Sequence, residues 1–200
     1  MEKARIAVLV SGGGTNLQAL LDAQQSGALK SGEICLVISN NPNAYALKRA
    51  KLAGVEGKII TKKEAGSQLA YEQKNVDLLE EKQIDIIVLA GFMSILSEGF
   101  TSRYPERILN VHPSLIPSFC GAGFYGLKVH EEALRYGVKV TGATVHFVNE
   151  IPDGGKIILQ KSVAIRKDDT PESLQKRVME QAEWKILPRA VEMVSKKYGK

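Results

Sequence analysis

Ile6-Ala7-Val8-Leu9-Val10-Ser11-Gly12-Gly13-Gly14-Thr15-Asn16-Leu17 joins an unbroken apolar run to a glycine-rich turn and the start of a helix-spaced segment. Five apolar residues without alternation describe a strand covered on both faces, because a half-exposed strand would interleave polar residues. Leu17, Leu20 and Leu21 then share one side of a helix. Strand, tight turn and helix in that order begin an α/β fold with a parallel sheet.

Similar pairs continue along the chain. Residues 34–38 read as a second strand ending in the turn Ser39-Asn40-Asn41-Pro42, followed by a helix carrying Leu47 and Ala50 that closes at Gly54. A short strand is expected near 58–60, a longer helix over about 67–81, and apolar strands over 84–89 and 108–112. The second half changes character. Residues 139–148 and 156–165 are long β-rich segments joined through Pro152-Asp153-Gly154-Gly155, a connection short enough for antiparallel neighbours. A last helix enters at Asp169-Thr170-Pro171-Glu172 and runs towards the C-terminus. The expectation is an α/β, Rossmann-like open sheet in one domain over residues 1–200, with helices on both faces. Its first half, about 1–105, is mostly parallel and holds the glycine-rich turn. Its second half, about 106–200, has long antiparallel or mixed strands.

Of the residues, 44% are apolar and 24% charged, the balance of a folded chain rather than a disordered one. A net charge of +5 raises the question of a nucleic-acid partner. However, Lys and Arg are interspersed with Asp and Glu, the basic runs are pairs such as Lys62-Lys63 and Lys196-Lys197, and few residues are aromatic. Small phosphate or carboxylate ligands suit that pattern better than nucleic acid. No apolar run is long enough to span a membrane, and the first residues lead straight into a strand, so neither membrane anchor nor leader is expected. Cys35 and Cys120 are too few for a disulfide framework and stand at no metal-ligand spacing with the histidines. A reducing, cytoplasmic compartment follows.

Gly14, Thr15 and Asn16 are candidate phosphate ligands, since a glycine turn exposes N–H groups where a helix N-terminus adds partial positive charge. The turn lacks the lysine of a P-loop. It also lacks the third glycine of a dinucleotide site, where Leu17 stands, and the acidic residue, where Ser39, Asn40 and Asn41 stand. A mononucleotide-like phosphate is the preferred ligand, with a bare turn as the alternative.

Leu109-Asn110-Val111-His112-Pro113-Ser114 ends an apolar strand, and residues two apart in a strand share a face. Asn110 and His112 therefore project together at the carboxyl end of a strand, where ligands bind in such sheets. An amide beside an imidazole suits the oxygen that gains charge when a carbonyl is attacked; the alternative is a pair of satisfied polar residues. His130 is expected to be structural. His146 alternates with Thr144 and Val148 and fits the site face and a core position equally well. Taken locally, Asp153 is a turn residue before two glycines, and its spacing from His112 says nothing about closeness.

Four motifs resemble the phosphoribosylglycinamide formyltransferases in the family's order. They are the stretch from Ser11 to Leu20, Leu89-Ala90-Gly91-Phe92-Met93, Asn110-Val111-His112-Pro113-Ser114-Leu115, and Val145-His146-Phe147-Val148 with Asp153-Gly154-Gly155. The resemblance implies formyl transfer from 10-formyltetrahydrofolate to the amine of 5-phosphoribosylglycinamide in purine synthesis, by direct attack without a metal. Asn110, His112 and Asp153 would be catalytic, with Asp153 raising the His112 pKa so that an imidazolium aids the oxyanion. Gly14, Thr15 and Asn16 would hold the ribose-phosphate and Glu183 the glycinamide. The folate would lie against Met93, Ser94, Ile95, Leu96 and Asn110, and against the loop of Asn149, Glu150, Ile151, Pro152 and Asp153. Partners would be small molecules only, with the chain a monomer or homodimer.

Departures from the family pattern are Ser94 and Gln68 where arginines are usual, Trp184 for a histidine, and a longer glycine-rich loop at 121–126. The rival readings are a formyltetrahydrofolate deformylase-like hydrolase and a non-catalytic nucleotide-phosphate module. Methionyl-tRNA formyltransferase resembles the middle of the chain but carries a further C-terminal domain. Without a metal-ligand spacing, turnover should withstand chelation. A formyl-transfer assay with and without EDTA checks this, and activity that vanishes and returns with zinc or magnesium would overturn it.

Overall fold

The computed structural model describes residues 2–199. In chain order the elements are β1 (Ala4–Val10), α1 (Thr15–Gln25), β2 (Gly32–Ser39), α2 (Tyr45–Leu52), β3 (Glu56–Ile59), α3 (Lys62–Ala65), α4 (Gln68–Glu81) and β4 (Ile86–Leu89). After these come α5 (Glu98–Thr101), β5 (Ile108–His112), α6 (Leu127–Tyr136), β6 (Val140–Phe147), β7 (Ile157–Ala164), α7 (Pro171–Val178) and α8 (Trp184–Tyr198). The strands form one seven-stranded sheet in the order β3-β2-β1-β4-β5-β6-β7. Pairing is parallel from β3 through β5 and antiparallel at β5–β6 and β6–β7, as the change in sequence character implies. The chain winds outward from β1 to β3, then returns to lay β4 on the other side of β1. That reversal opens a crevice at the carboxyl ends of β1 and β4.

Alternation along the strands sorts the core into two layers. Ile6, Val8 and Val10 of β1, with Val145 and Phe147 of β6, pack on the face covered by α1, α2, α7 and α8. Ala7, Leu9, Ile87 and Leu89 pack on the opposite face with Val76 and Leu79 of α4 and Phe100 of α5. Ile108 belongs to that second face, and by the two-residue period so do Asn110 and His112. The helices there cover the middle of the sheet. The carboxyl end of β5 and the adjoining part of β6 are left to polar side chains and loops.

The last helix differs from the expectation. It is interrupted at Met179–Glu183 by a π-helical turn between α7 and α8. The widened turn buries Ala182 and Glu183, while Leu174 and Val178 before it and Leu187 and Val191 after it stay in the core. Its entry is as expected: the Thr170 hydroxyl accepts from Ser173 N, the Ser173 hydroxyl accepts from Thr170 N, and Asp169 pairs with Arg177. The helices α3 and α5 escape a reading by periodicity because each is a single turn of four residues. Strand β4 starts later than expected, because Ile84 N is spent on closing α4 at the Leu79 carbonyl.

His130 of α6 is fully buried and neither ring nitrogen has a partner among the described residues. Burial pushes its pKa down from 6.5 to about 4, with the nearby His112 adding to the effect. Below pH 6.5 the unfolded chain therefore takes up a proton that the folded chain refuses until about pH 4. The folded state should lose on the order of 2 kcal/mol to this group by pH 4.5, and nothing above pH 7. Denaturant midpoints of wild type and His130→Leu between pH 7 and 4.5 check this. The wild-type curve should fall more steeply, and parallel curves would show that His130 does not titrate in this way.

Candidate active site

At the uncovered end of β5 lies a cleft of about 520 Å³, lined on one side by Gly91 to Ile95 and on the other by the 121–126 loop. Asn110, His112 and Asp153 line it between them. A smaller recess of about 120 Å³ adjoins it, lined by Ser94, Ile95 and Leu96 and by Asn149 to Asp153. The residues expected around a folate thus border two connected hollows, with Met93 on the larger.

The antiparallel register sets Asn110 opposite His146 and His112 opposite Thr144. His146 accordingly lies on the face of Asn110 and His112 and lines the smaller recess. Asn110 Nδ2 lies 3.2 Å from His146 Nε2 and 3.4 Å from Asp153 Oδ1. His146 Nδ1 is 2.7 Å from the Phe147 carbonyl, and His146 Nε2 is 3.4 Å from Asp153 Oδ1. The other carboxylate oxygen, Asp153 Oδ2, stands 3.5 Å from His112 Nδ1 and accepts from Gly121 N at 2.9 Å.

Asp153 reaches this position from a turn. Its backbone is left-handed, at φ 56°, a conformation that Asp and Asn tolerate better than most residues. The chain then turns back so tightly that a Cβ on Gly155 would stand 1.7 Å from the Phe147 carbonyl. The glycine lets the loop close against the end of β6 and carry the carboxylate across to β5.

Electrostatically the group is a buried anion among donors. Burial pushes the Asp153 pKa up, but the His146 hydrogen bond, the His112 imidazole and Gly121 N–H outweigh it, and the carboxyl lies below its ordinary value. For His112 the balance runs the other way. Burial is the largest effect and lowers its pKa, while Asp153 and the Phe119 carbonyl raise it without restoring the ordinary 6.5. The expected lift by Asp153 is present, but it is the smaller effect. The resting imidazole is therefore neutral at pH 7. Its Nε2 sits 2.9 Å from the Phe119 carbonyl, which calls for the proton there and leaves the Nδ1 lone pair towards Asp153.

Sequence reasoning had no means of finding the Phe119 carbonyl or Gly121 N–H, because main-chain groups carry no residue signature. They are held in place by a network under the loop. The Thr144 hydroxyl donates to the Ser114 carbonyl at 2.7 Å and accepts from Ile116 N at 3.1 Å, and Gln160 Nε2 donates to Thr144 Oγ1 and the Ile116 carbonyl.

The glycine turn stands at the carboxyl end of β1, with Gly14 at φ 71° as the residue before α1. A Cβ there would approach Ala46 Cβ to 2.6 Å, so glycine is what lets α1 and α2 meet. Each of the loop's carbonyls is paired. Ser11 O accepts from Asn41 Nδ2, Gly12 O from Ala46 N, Gly13 O from Arg49 Nε and Gly14 O from Gln18 N. Among the described residues, the N–H groups of Gly12 to Thr15 donate to no protein acceptor. Four tied carbonyls and a row of free N–H groups at a helix start form an anion cradle.

Thr15 and Asn16 follow directly, but Asn16 is turned inward. Its Nδ2 donates to Glu183 Oε2 at 2.7 Å, and both side chains are buried. Burial pushes the Glu183 pKa up to about 7, against the Asn16 hydrogen bond. Glu183 does not line the large cleft; its present contact is Asn16. Gln68 is also turned inward, onto Glu72 Oε1 at 2.6 Å and the Ile95 carbonyl at 3.2 Å. Among the described residues, no cluster of three or more His, Cys, Asp or Glu is placed to hold a metal ion, and no helix is long and apolar enough to cross a membrane.

Residues 4–191 match the formyl transferase family. The chain is 42% identical over 187 residues to a phosphoribosylglycinamide formyltransferase of Haemophilus influenzae, covering 94% of this chain and 85% of that one. It is 44% identical over 194 residues to the human trifunctional purine biosynthetic protein adenosine-3, covering 97% of this chain but only 18% of the relative's length. Among solved structures, glycinamide ribonucleotide transformylase 1 of Symbiobacterium toebii superposes with a TM-score of 0.91 at 39% identity. That alignment covers 98% of this chain and 89% of the other. With sequence and fold matched over nearly their whole extent, the chain belongs to the formyl transferase family.

Proposed function

We propose that the chain transfers the formyl group of 10-formyltetrahydrofolate to the amine of 5-phosphoribosylglycinamide, as a cytoplasmic enzyme of purine synthesis acting on small molecules. The convergence of Asn110, His112 and His146 on the Asp153 carboxylate beside a cleft large enough for a folate carries this reading. The anion cradle at Gly12 to Thr15 would take the ribose phosphate, and the segment Met93 to Leu96 with the loop Asn149 to Asp153 would take the folate.

In the reaction a bond forms between the substrate amine and the formyl carbon, and the bond from that carbon to the folate nitrogen breaks. The formyl oxygen gains negative charge in between. Asn110 Nδ2 holds only long contacts, at 3.2 and 3.4 Å, and can turn its hydrogen onto that oxygen. The attacking amine must shed a proton. Neutral His112, with its Nδ1 lone pair towards Asp153, takes it up, and the ionised carboxylate stabilises the imidazolium so formed. The positive charge then stands beside the charged oxygen, and the proton passes to the folate nitrogen as it leaves.

Asp153→Asn keeps a residue that accepts the left-handed turn but removes the charge. The His112 pKa, which Asp153 holds up, should fall further, so the acid limb of kcat/KM should move to lower pH while the plateau above it drops. Removing the donor in Asn110→Ala should lower kcat roughly 100- to 1000-fold. The combined variant should lose less than the product of the two, because the residues act as a unit. NMR titration of His112 with steady-state kinetics, scoring transfer against bare hydrolysis, checks these points. Near-normal turnover and an unmoved His112 pKa in Asp153→Asn would reduce Asp153 to a turn residue, and hydrolysis without transfer would favour a deformylase.

At the cradle, Gly14→Val would force α1 and α2 apart and misalign the N–H row. KM for the ribosyl substrate should rise at least tenfold, roughly the loss of one charge-assisted bond, with the folate KM little changed. Equal changes in both would argue against a phosphate site there.

A further inference from the structure

The segment Met93 to Ser97 stands at the mouth of the cleft with almost no support from the core. Met93 and Ile95 are 57% and 72% exposed, and of the segment only Leu96 packs into a core layer. Its position is set instead by polar tethers from three different elements. Met93 N donates to Ser11 Oγ at 2.9 Å, at the end of β1, and Asn40 Nδ2 donates to Ser94 Oγ at 2.8 Å from the end of β2. The remaining tethers come from the first two turns of α4. Glu72 is 5% exposed, and its Oε1 accepts from Ser97 N at 2.8 Å and from Gln68 Nε2 at 2.6 Å, while its Oε2 accepts from the Ser97 hydroxyl. Gln68 Nε2 also reaches the Ile95 carbonyl.

We propose that Glu72 is a positioning residue for the formyl donor, acting with Gln68 and Ser97 to fix the main chain of residues 93–97 at the height where the folate meets it. The inference rests on the reading that this segment takes the folate. Helix α4 is held to the sheet by Val76 and Leu79, so it does not need this carboxylate to dock. What the carboxylate does is gather donors from the segment and from Gln68 onto one buried point. Gln68, standing where an arginine is usual, is thereby committed inward: it shapes the site from beneath instead of gripping the folate tail.

The test is steady-state kinetics of the full chain with 10-formyltetrahydrofolate and the ribosyl substrate, for Gln68→Ala, Glu72→Ala and Glu72→Gln. Alongside it, amide hydrogen exchange of the wild type is followed with and without tetrahydrofolate. Gln68→Ala and Glu72→Ala should raise the folate KM roughly tenfold, the effect of one good hydrogen bond. Both kcat and the ribosyl-substrate KM should stay within about twofold, below the cost of one such bond. Glu72→Gln should recover most of the loss, since its amide oxygen still accepts from Ser97 N. If Glu72→Ala does not fold, Gln68→Ala decides alone, because that half-buried side chain can be shortened without opening the core. Should the folded variants keep a wild-type folate KM, or should both KM values shift together, the positioning role is wrong. Tetrahydrofolate that slows exchange at residues 93–97 while the variants behave as wild type would overturn this role and leave the folate site standing. No slowing at residues 93–97 would remove the folate reading itself, and the proposal with it.

Discussion

The register of β5 against β6 is the constraint on which the site depends. It places Asn110 beside His146 and His112 beside Thr144 on one face, at the end of the sheet that the helices do not cover. A slip of β6 by one residue would send His146 and Thr144 into the opposite apolar layer, away from Asn110 and His112. With the register as it is, two buried imidazoles and an amide share one face, and the turn after β6 brings the Asp153 carboxylate to them. Thr144 adds a second use of the same pairing, since its hydroxyl holds the chain leaving β5 and with it the Phe119 carbonyl over His112.

Burial and charge oppose each other in this group, and the two partners resolve the conflict differently. The carboxylate gathers enough donors to remain ionised despite its burial, whereas the imidazole does not gain enough from one carboxylate and one carbonyl to hold its proton. A neutral base beside a stabilised anion is poised to accept a proton. The polarity of the pair is therefore a consequence of how deeply each member sits.

Much of the fold was legible because the strands near the middle of the sheet are unbroken apolar runs, and because the last two strands are separated by a connection too short for a helix. Asn110 and His112 could be placed together from the two-residue period alone. Asp153 could not, since what joins it to them is a turn closed by Gly155 against Phe147, a contact without local signature; only the resemblance to a family named it. Glu183 illustrates the opposite difficulty. The resemblance named it as a ligand contact, and the π-helical turn that sets it against Asn16 departs from the regular helical period and is invisible to it. Single-turn helices and main-chain acceptors remained unread for the same reason: neither leaves a repeating pattern in the side chains.

The tied carbonyls of the glycine turn bear on how the molecule meets its ligand. With Ser11 to Gly14 already fastened to α1, α2 and the end of β2, the cradle has no ordering left to do when an anion arrives. One wall of the cleft is a run containing Gly121, Gly123 and Gly126, all with positive φ, and the main chain of Phe119 and Gly121 contacts His112 and Asp153. The turn is thus preformed, whereas the 121–126 wall of the cleft is glycine-rich main chain with positive φ at three positions. On the proposed function, a substrate held by its phosphate in that turn would present its amine from a fixed origin. The ruler along which the two substrates are brought into line would then be the sheet itself.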